Sequence, residues 1–570
     1  MGKVNGGLLV SQALQREGVE QVFGLIGYYV SPIFAACSKT GLKIYDTRHE
    51  QAAVHMADGY SQLTGNPGVA VVTGGPGFAN TISGIIKAYK SFTPLVLITG
   101  GFEPQRKDAG GLEDMDQLTL VKQYTKWCGT VYDTARIPEY IAIAFRHAVS
   151  GRRGPVVLEI PINYLRNEVD KESVVWPEKY RTDAKIYGDN EKVEEAICLI
   201  EKAKKPIIIA GNGVFYSKAE EELKMFAEYA GIPVFTVNAG RGVLPDDHEF
   251  CFSPGRALEA GPQLYAFKNA DTVVVFGSSL DYSVSFGRPP VFAQNQVFIQ
   301  VDVDPSEIGF SCRKIDVGIV GHSNVVLKQM LDSIKASGKV NKNKYSSWIS
   351  ELKKIQFDFW SDFEKDINNN SKPIHPQRLI NDIQQVIPKD SVIVMDGSNA
   401  MLWACLLFKC YKPGHHVIGP SGTYGPMGTG LPLALGAKIA KPDKVVVLYT
   451  GDGSLGFNLI EVNTAVRMGI PVVIIVHNDS SWGFCRETQR TIFGDSACNY
   501  GTDLGFTRYD KIIEDFGGYG ELISDPGNIA PALNRAINSN KIACLNVIVD
   551  GEMSPGANFL NGTVKVNKKA

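Results

Sequence analysis

The chain repeats one pattern that few folds can accommodate. Short apolar runs rich in β-branched residues end in Gly or Asp, and each is followed by a longer stretch with helical periodicity. Runs that are apolar on both faces are typical of parallel strands covered by helices on each side of the sheet. The pattern therefore predicts the α/β class, with doubly wound parallel sheets. Three series of such runs begin with GVAVVTGGPG (68–77), KKPIIIAGNG (204–213) and KVVVLYTGDG (444–453).

These three series predict three domains. A chain of 570 residues exceeds the length that one hydrophobic core usually supports. The first and last series each place a Gly-rich turn after their first strand, so we expect two similarly built modules on either side of a middle unit. Charged segments near 169–185 and 339–354 are the expected connectors. The predicted domains are 1–180, 190–345 and 370–555, followed by a polar tail at 556–570.

The composition argues against several classes of function. Lys plus Arg (58) nearly balances Asp plus Glu (60), without a long basic run that includes aromatics, so nucleic acid is not an expected partner. Uncharged apolar stretches stay shorter than the roughly 18 residues that a membrane span needs. The first residues lack the signal-peptide pattern, and we expect a cytoplasmic protein. The ten cysteines form no CxxC pair, so neither a zinc site nor a disulfide framework is predicted.

Two acidic residues follow neighbouring predicted strands at the point where each strand ends. GDG (451–453) follows VVVLY, and after 24 intervening residues Asn478 and Asp479 follow PVVIIV. Because the carboxyl ends of parallel strands meet at one edge of a sheet, Asp452 and Asp479 are expected to converge on one ion. Magnesium prefers hard oxygen ligands and usually keeps phosphate oxygens among them. The carbonyl of Ser481 is the candidate for a third protein ligand.

The glycines beside Asp452 suit a bound diphosphate. Gly451 and Gly453 would let the backbone approach the phosphates, and a helix predicted to begin near Leu459 would point its positive end toward them. A GDG triplet alone is most often a turn, since Asp and Gly are preferred turn residues. The second strand end with its own acid is what favours a metal site over a plain turn.

The spacing of GDG and Asn-Asp resembles the signature of thiamine diphosphate enzymes, and the whole chain resembles their acetolactate synthase-like branch. Within that branch it is similar to benzaldehyde lyase and to the oxalyl- and 2-hydroxyacyl-CoA lyases. The signature usually ends in Asn, whereas this chain has Asp479, an oxygen ligand that adds negative charge. The resemblance is carried by VFGLIG (22–27), DTRHEQAA (46–53), TGGPGFAN (73–80), MDQ (115–117), GRGVLPDDH (240–248), VDVDPSEIG (301–309), GTYGPMGTGLPLALGA (422–437) and NDSSWG (478–483).

The resemblance implies a pyrimidine-binding, a middle and a diphosphate-binding domain, with thiamine diphosphate and Mg²⁺ as cofactors. It implies that the Glu50 carboxyl lies against the aminopyrimidine and starts the proton exchange that activates the thiazolium. Met427 would force the cofactor to bend, and the Gly425 carbonyl would accept a hydrogen bond from its amino group. The other implied cofactor contacts are Thr73, Pro76, Asn80, Gly397, Ser398, Asn399, Gly451, Gly453 and Ser454, although 397–399 would equally suit a plain strand-end turn.

Departures from the relatives bear on the substrate. Benzaldehyde lyase has a histidine where this chain has Tyr29, so a tyrosine hydroxyl, Gln117 or water is expected to take part in proton transfer. Acetolactate synthases hold a flavin with arginines at the positions of Ser279 and Ser283, so FAD is not expected. Cys485 is expected to be an inert part of the pocket wall. The implied substrate pocket is lined by Tyr28, Trp482, Phe484 and Cys485.

Together these features predict a thiamine diphosphate- and magnesium-dependent lyase or carboligase. It would form or cleave carbon–carbon bonds of 2-keto acids, 2-hydroxy ketones or aldehydes through an enamine intermediate. The alternatives are a 2-hydroxyacyl-CoA or oxalyl-CoA lyase, whose tail closes over the thioester as 556–570 could, then an acetolactate synthase-like enzyme or a flavin-linked 2-keto acid oxidase. A frayed terminus is the other interpretation of that tail. In relatives Glu50 of one chain meets the cofactor of another, so a homodimer is the expected minimal unit and a homotetramer the expected assembly.

Overall fold

The computed structural model describes residues 2–253, 261–363, 366–497 and 499–551. Its strands form three parallel sheets and one antiparallel pair, β1 with β8, which the sequence pattern did not predict. The predicted α/β class with three doubly wound sheets is confirmed. The strands are β1 Lys3–Asn5, β2 Gln21–Leu25, β3 Lys43–Asp46, β4 Gly68–Val72, β5 Leu95–Gly101, β6 Trp127–Thr130, β7 Pro155–Pro161, β8 Glu168–Asp170, β9 Pro206–Ala210, β10 Val234–Thr236, β11 Thr272–Phe276, β12 Val297–Asp302, β13 Val317–Val320, β14 Val392–Asp396, β15 His416–Ile418, β16 Val446–Gly451, β17 Val473–Asn478, β18 Tyr519–Ile523 and β19 Ala543–Ile548.

The first and last sheets share one strand order. The first is β3-β2-β4-β5-β7-β6 and the last is β15-β14-β16-β17-β19-β18, so both follow the same path through six parallel strands. The middle sheet has the order β10-β9-β11-β12-β13. In each six-stranded sheet the order reverses beside the first strand, and open α/β sheets bind ligands at the carboxyl ends of the strands that flank such a reversal. These strands are β2 and β4 in the first sheet and β14 and β16 in the last.

Helices connect the strands throughout. They are α1 Gly6–Arg16, α2 Ser31–Thr40, α3 Glu50–Thr64, α4 Pro76–Asn80, α5 Ile82–Lys90, α6 Gln117–Val121, α7 Ile137–Val149, α8 Ile162–Arg166, α9 Asn190–Lys202, α10 Asn212–Ser217, α11 Glu220–Ala230, α12 Gly261–Asn269, α13 Ser323–Ser337, α14 Ser346–Phe363, α15 Pro376–Val386, α16 Asn399–Leu407, α17 Gly430–Ala440, α18 Asp452–Phe457, α19 Glu461–Met468, α20 Gly483–Phe493, α21 Tyr509–Asp515 and α22 Ile529–Asn538. In the described part of the chain, none of them combines the length and apolarity of a membrane span.

The chain divides into two compact units. Unit 1 combines residues up to 183 with 419–443 and 458–471, so the first sheet is accompanied by α17 and α19. Unit 2 contains 184–418, 444–457 and the residues from 472 onward, and it holds the middle and last sheets. Each of the three sheets falls within one of the three predicted domain ranges, whose boundaries stay predictions.

In unit 1, α3 and α17 pack with their backbones in direct contact. A Cβ atom built on Gly59 would lie 2.3 Å from the carbonyl oxygen of Leu433, and one built on Gly436 would lie 2.0 Å from that of Met56. Glycine is required at both positions, because any side chain would overlap the facing backbone. The position of α3 is therefore fixed by its contact with α17.

Polar groups are buried under α3. Lys87 of α5 donates to Asp58 at 2.5 Å, and both side chains are fully buried. Gln62 donates to the second oxygen of Asp58 at 2.8 Å. His55 is fully buried, and neither of its ring nitrogens has a hydrogen-bond partner. Burial, helped by the nearby Lys87 charge, lowers the pKa of His55 to about 3.

Acid is expected to destabilise the helix that carries His55. The imidazole stays neutral in the fold, whereas its pKa in the unfolded chain is about 6.5. The contribution of neutral His55 to the free energy of unfolding is thus complete above pH 6.5. It is lost as the pH falls toward 3, by about 1.4 kcal/mol per pH unit. Native-state hydrogen exchange of the α3 amides at pH 7 and pH 5.5 measures this loss. His55→Leu should reduce the pH dependence, and an unchanged dependence would contradict the assignment.

Candidate functional site

Glu50 stands at the first turn of α3, beside the loop that follows β4. Asn80 donates from Nδ2 to Glu50 Oε2 at 3.0 Å. A Cβ atom built on Gly77 would lie 3.2 Å from Glu50 Oε1. Pro76 begins α4 and precedes this glycine, and Thr73 stands at the other end of the same turn, in contact with Gly77. The structure thus brings four of the residues predicted for the pyrimidine end of the cofactor to one strand end.

The loop after β2 contributes the two predicted tyrosines, which differ in exposure. Tyr29 is buried, and its hydroxyl donates to the carbonyl of Leu112 at 2.5 Å. Burial, followed by the neighbouring Glu113, raises the pKa of Tyr29. Tyr28 is 59% exposed, with its ring 4.7 Å from the Arg166 guanidinium. The hydroxyl of Tyr29 therefore anchors the segment that leads to the MDQ motif.

Sequence reasoning missed Glu113, which lies against the same turn. It adopts φ +61°, a conformation that non-glycine residues rarely hold outside functional or constrained positions. Its Oε2 atom is buried without a hydrogen-bond partner, and burial raises the pKa of this carboxyl, with the Thr73 hydroxyl opposing the rise. A Cβ atom on Gly75 would lie 2.6 Å from its Cβ. Its place next to the MDQ motif was the one available signal.

The amide of Gln117 is fully used by hydrogen bonds. Its Oε1 accepts from the backbone N–H of Gly75 at 3.1 Å and from the Thr99 hydroxyl at 3.4 Å. Its Nε2 donates to the carbonyl of Gly100 at 3.0 Å and to Glu159 at 2.5 Å. These bonds tie the turn after β4 to strands β5 and β7. A role in proton transfer stays a prediction, and the geometry favours a role in holding the turn.

Gly425 and Met427 lie in the loop before α17, in unit 1. Gly425 has φ +66° and open space around its Cα. Met427 is half-buried. The hydroxyl of Tyr424 donates to Ser83 at 3.3 Å, and Asn458 donates to the carbonyl of Gly428 at 2.5 Å, so both ends of this loop are fastened to neighbouring elements.

In unit 2, the two predicted metal carboxylates converge. Strands β16 and β17 pair in parallel with Gly451 opposite His477, so the residues after both strands emerge together. Asp452 is buried and the Asp479 side chain is 7% exposed, and the two residues follow the paired ends of these strands. Burial and the neighbouring Asp479 raise the pKa of Asp452 to about 7, and burial also raises the pKa of Asp479. Two neighbouring acids that are shielded from water are stabilised as carboxylates by a cation between them.

A helix begins near Leu459 as the sequence predicted, and a shorter helix that it did not predict precedes it. Helix α18 begins at Asp452 itself and ends at Phe457, and the next helix begins at Glu461. An acidic residue at a helix start stabilises the first turn, so the GDG triplet initiates the helix directly from the strand. The side chain of Asp452 is consequently fixed by a strand on one side and a helix on the other.

Several groups surround the two carboxylates. The backbone N–H of Ser481 donates to Asp479 Oδ1 at 3.2 Å. The hydroxyl of Tyr509 donates to the carbonyl of Asp452 at 2.8 Å. Arg486, which sequence reasoning also missed, lies with Nη2 3.8 Å from Asp479 Oδ2. Within the described residues no group of three or more His, Cys, Asp or Glu side chains could hold a metal, so a cation here would need backbone, phosphate or water ligands as well.

The loop after β14 lies beside the GDG turn. Gly397 has φ +97°, and a Cβ atom on it would lie 3.2 Å from Ser454 Oγ and 3.3 Å from the nitrogen of Gly451. Ser398 precedes α16 and Asn399 begins it. Asn399 Nδ2 would lie 3.1 Å from a Cβ on Gly483. The predicted diphosphate residues are thereby brought together at the reversal of strand order.

The predicted pocket residues after β17 occupy three different environments. The Trp482 ring covers Gly453, where a Cβ atom would lie 2.5 Å from the ring, and it meets Phe457 edge-on. Phe484 packs against the core of the last sheet. Cys485 is exposed. Their role as a substrate pocket stays a prediction, and the Trp482 ring packs against the turn that carries Asp452.

The donor set fits the implied cofactor at both ends. The buried carboxylate pair is beside glycine-rich loops that leave room for a metal-bound diphosphate. Glu50 faces a glycine whose missing side chain leaves space beside the acid. Oxygen ligands of this kind select Mg²⁺ or a similar hard cation.

Comparison with known proteins gives matches along most of the chain. Family models described as the thiamine pyrophosphate enzyme N-terminal TPP binding domain, central domain and C-terminal TPP binding domain match residues 4–120, 193–330 and 396–547. A 2-hydroxyacyl-CoA lyase of Arabidopsis thaliana is 32% identical over 96% of both chains. A probable acetolactate synthase large subunit of Methanococcus aeolicus is 31% identical over 98% of this chain and 95% of its own. The 2-hydroxyacyl-CoA lyase 1 of Homo sapiens is 27% identical over 99% of this chain and 98% of its own. The chain therefore belongs to the thiamine pyrophosphate enzyme family, together with lyases and acetolactate synthases, and is a thiamine diphosphate-dependent enzyme of that kind.

Proposed function

We propose that the protein is a Mg²⁺-dependent lyase or carboligase that acts on the carbon–carbon bond next to a carbonyl group. Its substrates would be 2-keto acids, 2-hydroxy ketones or aldehydes. The observation that supports this most is the position of Asp452 and Asp479, two acids shielded from water, at the ends of two adjacent parallel strands. Such a pair is costly without a cation and is suited to anchor a metal-bound diphosphate.

Different residues of the chain would bind the metal ion and the diphosphate. Thiamine diphosphate, when bound, would supply a carbon acid whose deprotonated form can add to a carbonyl and accept the electron pair of the broken bond. Asp452, Asp479 and the Ser481 carbonyl would hold Mg²⁺, and Gly451, Gly453 and Ser454 would approach the diphosphate. A homodimer would be the minimal active unit and a homotetramer the full assembly.

Glu50 would hold and move the proton at the pyrimidine end. Asn80 occupies its Oε2, which leaves Oε1 directed toward Gly77 and the space above that glycine. The hydrogen bonds of Gln117 would keep the turn that carries Gly75 and Pro76 in place against this carboxyl. Together they orient the acid before the substrate arrives, which is how positioned general acids and bases gain rate.

A CoA-thioester lyase is the second candidate. Two of the relatives, from Arabidopsis thaliana and Homo sapiens, are named 2-hydroxyacyl-CoA lyases and match nearly the whole chain. The tail expected to close over a thioester, 556–570, lies outside the described residues. Dependence of turnover on the CoA group separates the two candidates.

Removal of the metal is expected to lower turnover at least ~100-fold, because the diphosphate anchor would be lost. The protein is incubated with thiamine diphosphate, MgCl₂ and a panel of 2-keto acids, acyloins, aldehydes and 2-hydroxyacyl-CoA thioesters, and the products are identified by mass. A parallel sample is dialysed against EDTA and then given Mg²⁺ again. Turnover that survives dialysis, or a panel without any product, would contradict the proposal.

A further inference from the structure

Asp479 gives the candidate metal site one negative charge more than a neutral ligand would. Its side chain is 7% exposed and follows the strand next to the one that leads to the buried Asp452, so two acidic groups lie at one sheet edge from which water is largely excluded. Buried like charges are stable only when an opposite charge is close. The protein therefore needs a compensating cation that belongs to the chain or to the bound metal.

Arg486 is such a cation, and it is held in place from two sides. Its Nη2 lies 3.8 Å from Asp479 Oδ2 and donates to the carbonyl of Gly551 at 3.3 Å. Its side chain is 18% exposed. The backbone nitrogen of Arg486 donates to the carbonyl of Trp482, which fixes the first turn of α20 next to the metal loop.

Gly551 leaves the space in which the arginine and the carboxylate meet. A Cβ atom built there would lie 2.7 Å from Arg486 Nη2 and 3.1 Å from Asp479 Oδ2. Gly483 does the same on the other side, where a Cβ atom would lie 2.5 Å from Asp479 Oδ2. Any side chain at either position would displace the carboxylate, so both glycines keep Asp479 and Arg486 within reach of each other.

We infer that Arg486 is a positioning residue for the metal ligand Asp479, and that the two residues together replace one neutral oxygen ligand. The arginine cancels the additional charge and directs Oδ2, which leaves Oδ1 with the backbone N–H of Ser481. This inference rests on the proposed function, because it takes Asp479 to be a ligand of Mg²⁺. Partners that orient a metal ligand typically change metal affinity by about 10- to 100-fold when they are removed.

The test removes the two charges singly and together, and it measures Mg²⁺ affinity rather than turnover. Isothermal titration of MgCl₂ into the full-length protein saturated with thiamine diphosphate compares wild type, Asp479→Asn, Arg486→Met and the double variant. Asp479→Asn alone should weaken Mg²⁺ binding roughly tenfold, because Arg486 is left as an uncompensated cation beside the metal. Adding Arg486→Met to it should restore the affinity to within about threefold of wild type. Arg486→Lys alone should stay close to wild type.

Arg490 provides the matched control. It lies one turn further along α20, where it pairs with Glu487 and Asp495. Arg490→Met removes the same charge from the same helix and should leave Mg²⁺ affinity unchanged. If Asp479→Asn binds Mg²⁺ as tightly as wild type, or if Arg486→Met fails to restore it, Arg486 does not balance the ligand. Wild-type protein that binds no Mg²⁺ would instead overturn the proposed function itself.

Discussion

Replacing Glu50 with glutamine is expected to lower turnover at least ~100-fold while the fold and the binding of thiamine diphosphate are largely kept. The amide oxygen can still accept the hydrogen bond from Asn80, so the side chain should keep its orientation. The NH₂ group that replaces the other carboxyl oxygen cannot give up or take up a proton as the acid does. Single-turnover kinetics would show a slow chemical step, and titration of the cofactor would show a small change in affinity.

Glu168→Gln is the matched control for this change. Glu168 is an exposed residue of β8, and its substitution by glutamine removes the same charge away from the candidate site. Its variant should turn over at the wild-type rate. Equal rates for Glu50→Gln and wild type would show that the proton route does not pass through this carboxyl.

The Lys87→Met variant is expected to lose about 3–5 kcal/mol of local stability. Its partner Asp58 is fully buried and would keep one hydrogen bond, from Gln62, but no compensating charge. Uncompensated buried charges of this kind cost more than the ion pair contributes, since desolvation is no longer offset. The free energy of opening, measured by native-state hydrogen exchange of α3 amides, reports this loss.

The double variant Lys87→Met with Asp58→Asn separates charge from packing. Without either charge, most of the stability should return, because a neutral amide can still bond with Gln62. If the double variant is as unstable as Lys87→Met alone, the loss arises from the altered packing of α5 and not from an isolated carboxylate.

The sequence pattern predicted those features that follow from periodicity and from strand ends. The apolar runs identified the strands, and the parallel pairing of β16 with β17 explains why Asp452 and Asp479 meet. These outcomes depend on backbone geometry that repeats in every α/β sheet, so they are accessible without coordinates.

Contacts within irregular loops were beyond that reasoning. Arg486 reaches Asp479 across the first turn of a helix, and Glu113 reaches the Gly75 turn only because its backbone adopts a left-handed conformation. The contact of the Trp482 ring with Gly453 was likewise not predicted. The short helix that begins at Asp452 was missed because a GDG triplet at a strand end is more typical of a turn. Such contacts depend on loop paths for which spacing carries no signal.

The direct backbone contact between α3 and α17 limits the substitutions that are compatible with the position of Glu50, the proposed catalytic acid. Gly59 and Gly436 each face a carbonyl oxygen, so a methyl group added at either position would push the two helices apart. Because Glu50 begins one of them, a displacement of that helix at the glycine would also shift the Glu50 carboxyl out of position. Selection on the chemistry of this enzyme therefore extends to two positions that no substrate atom needs to approach.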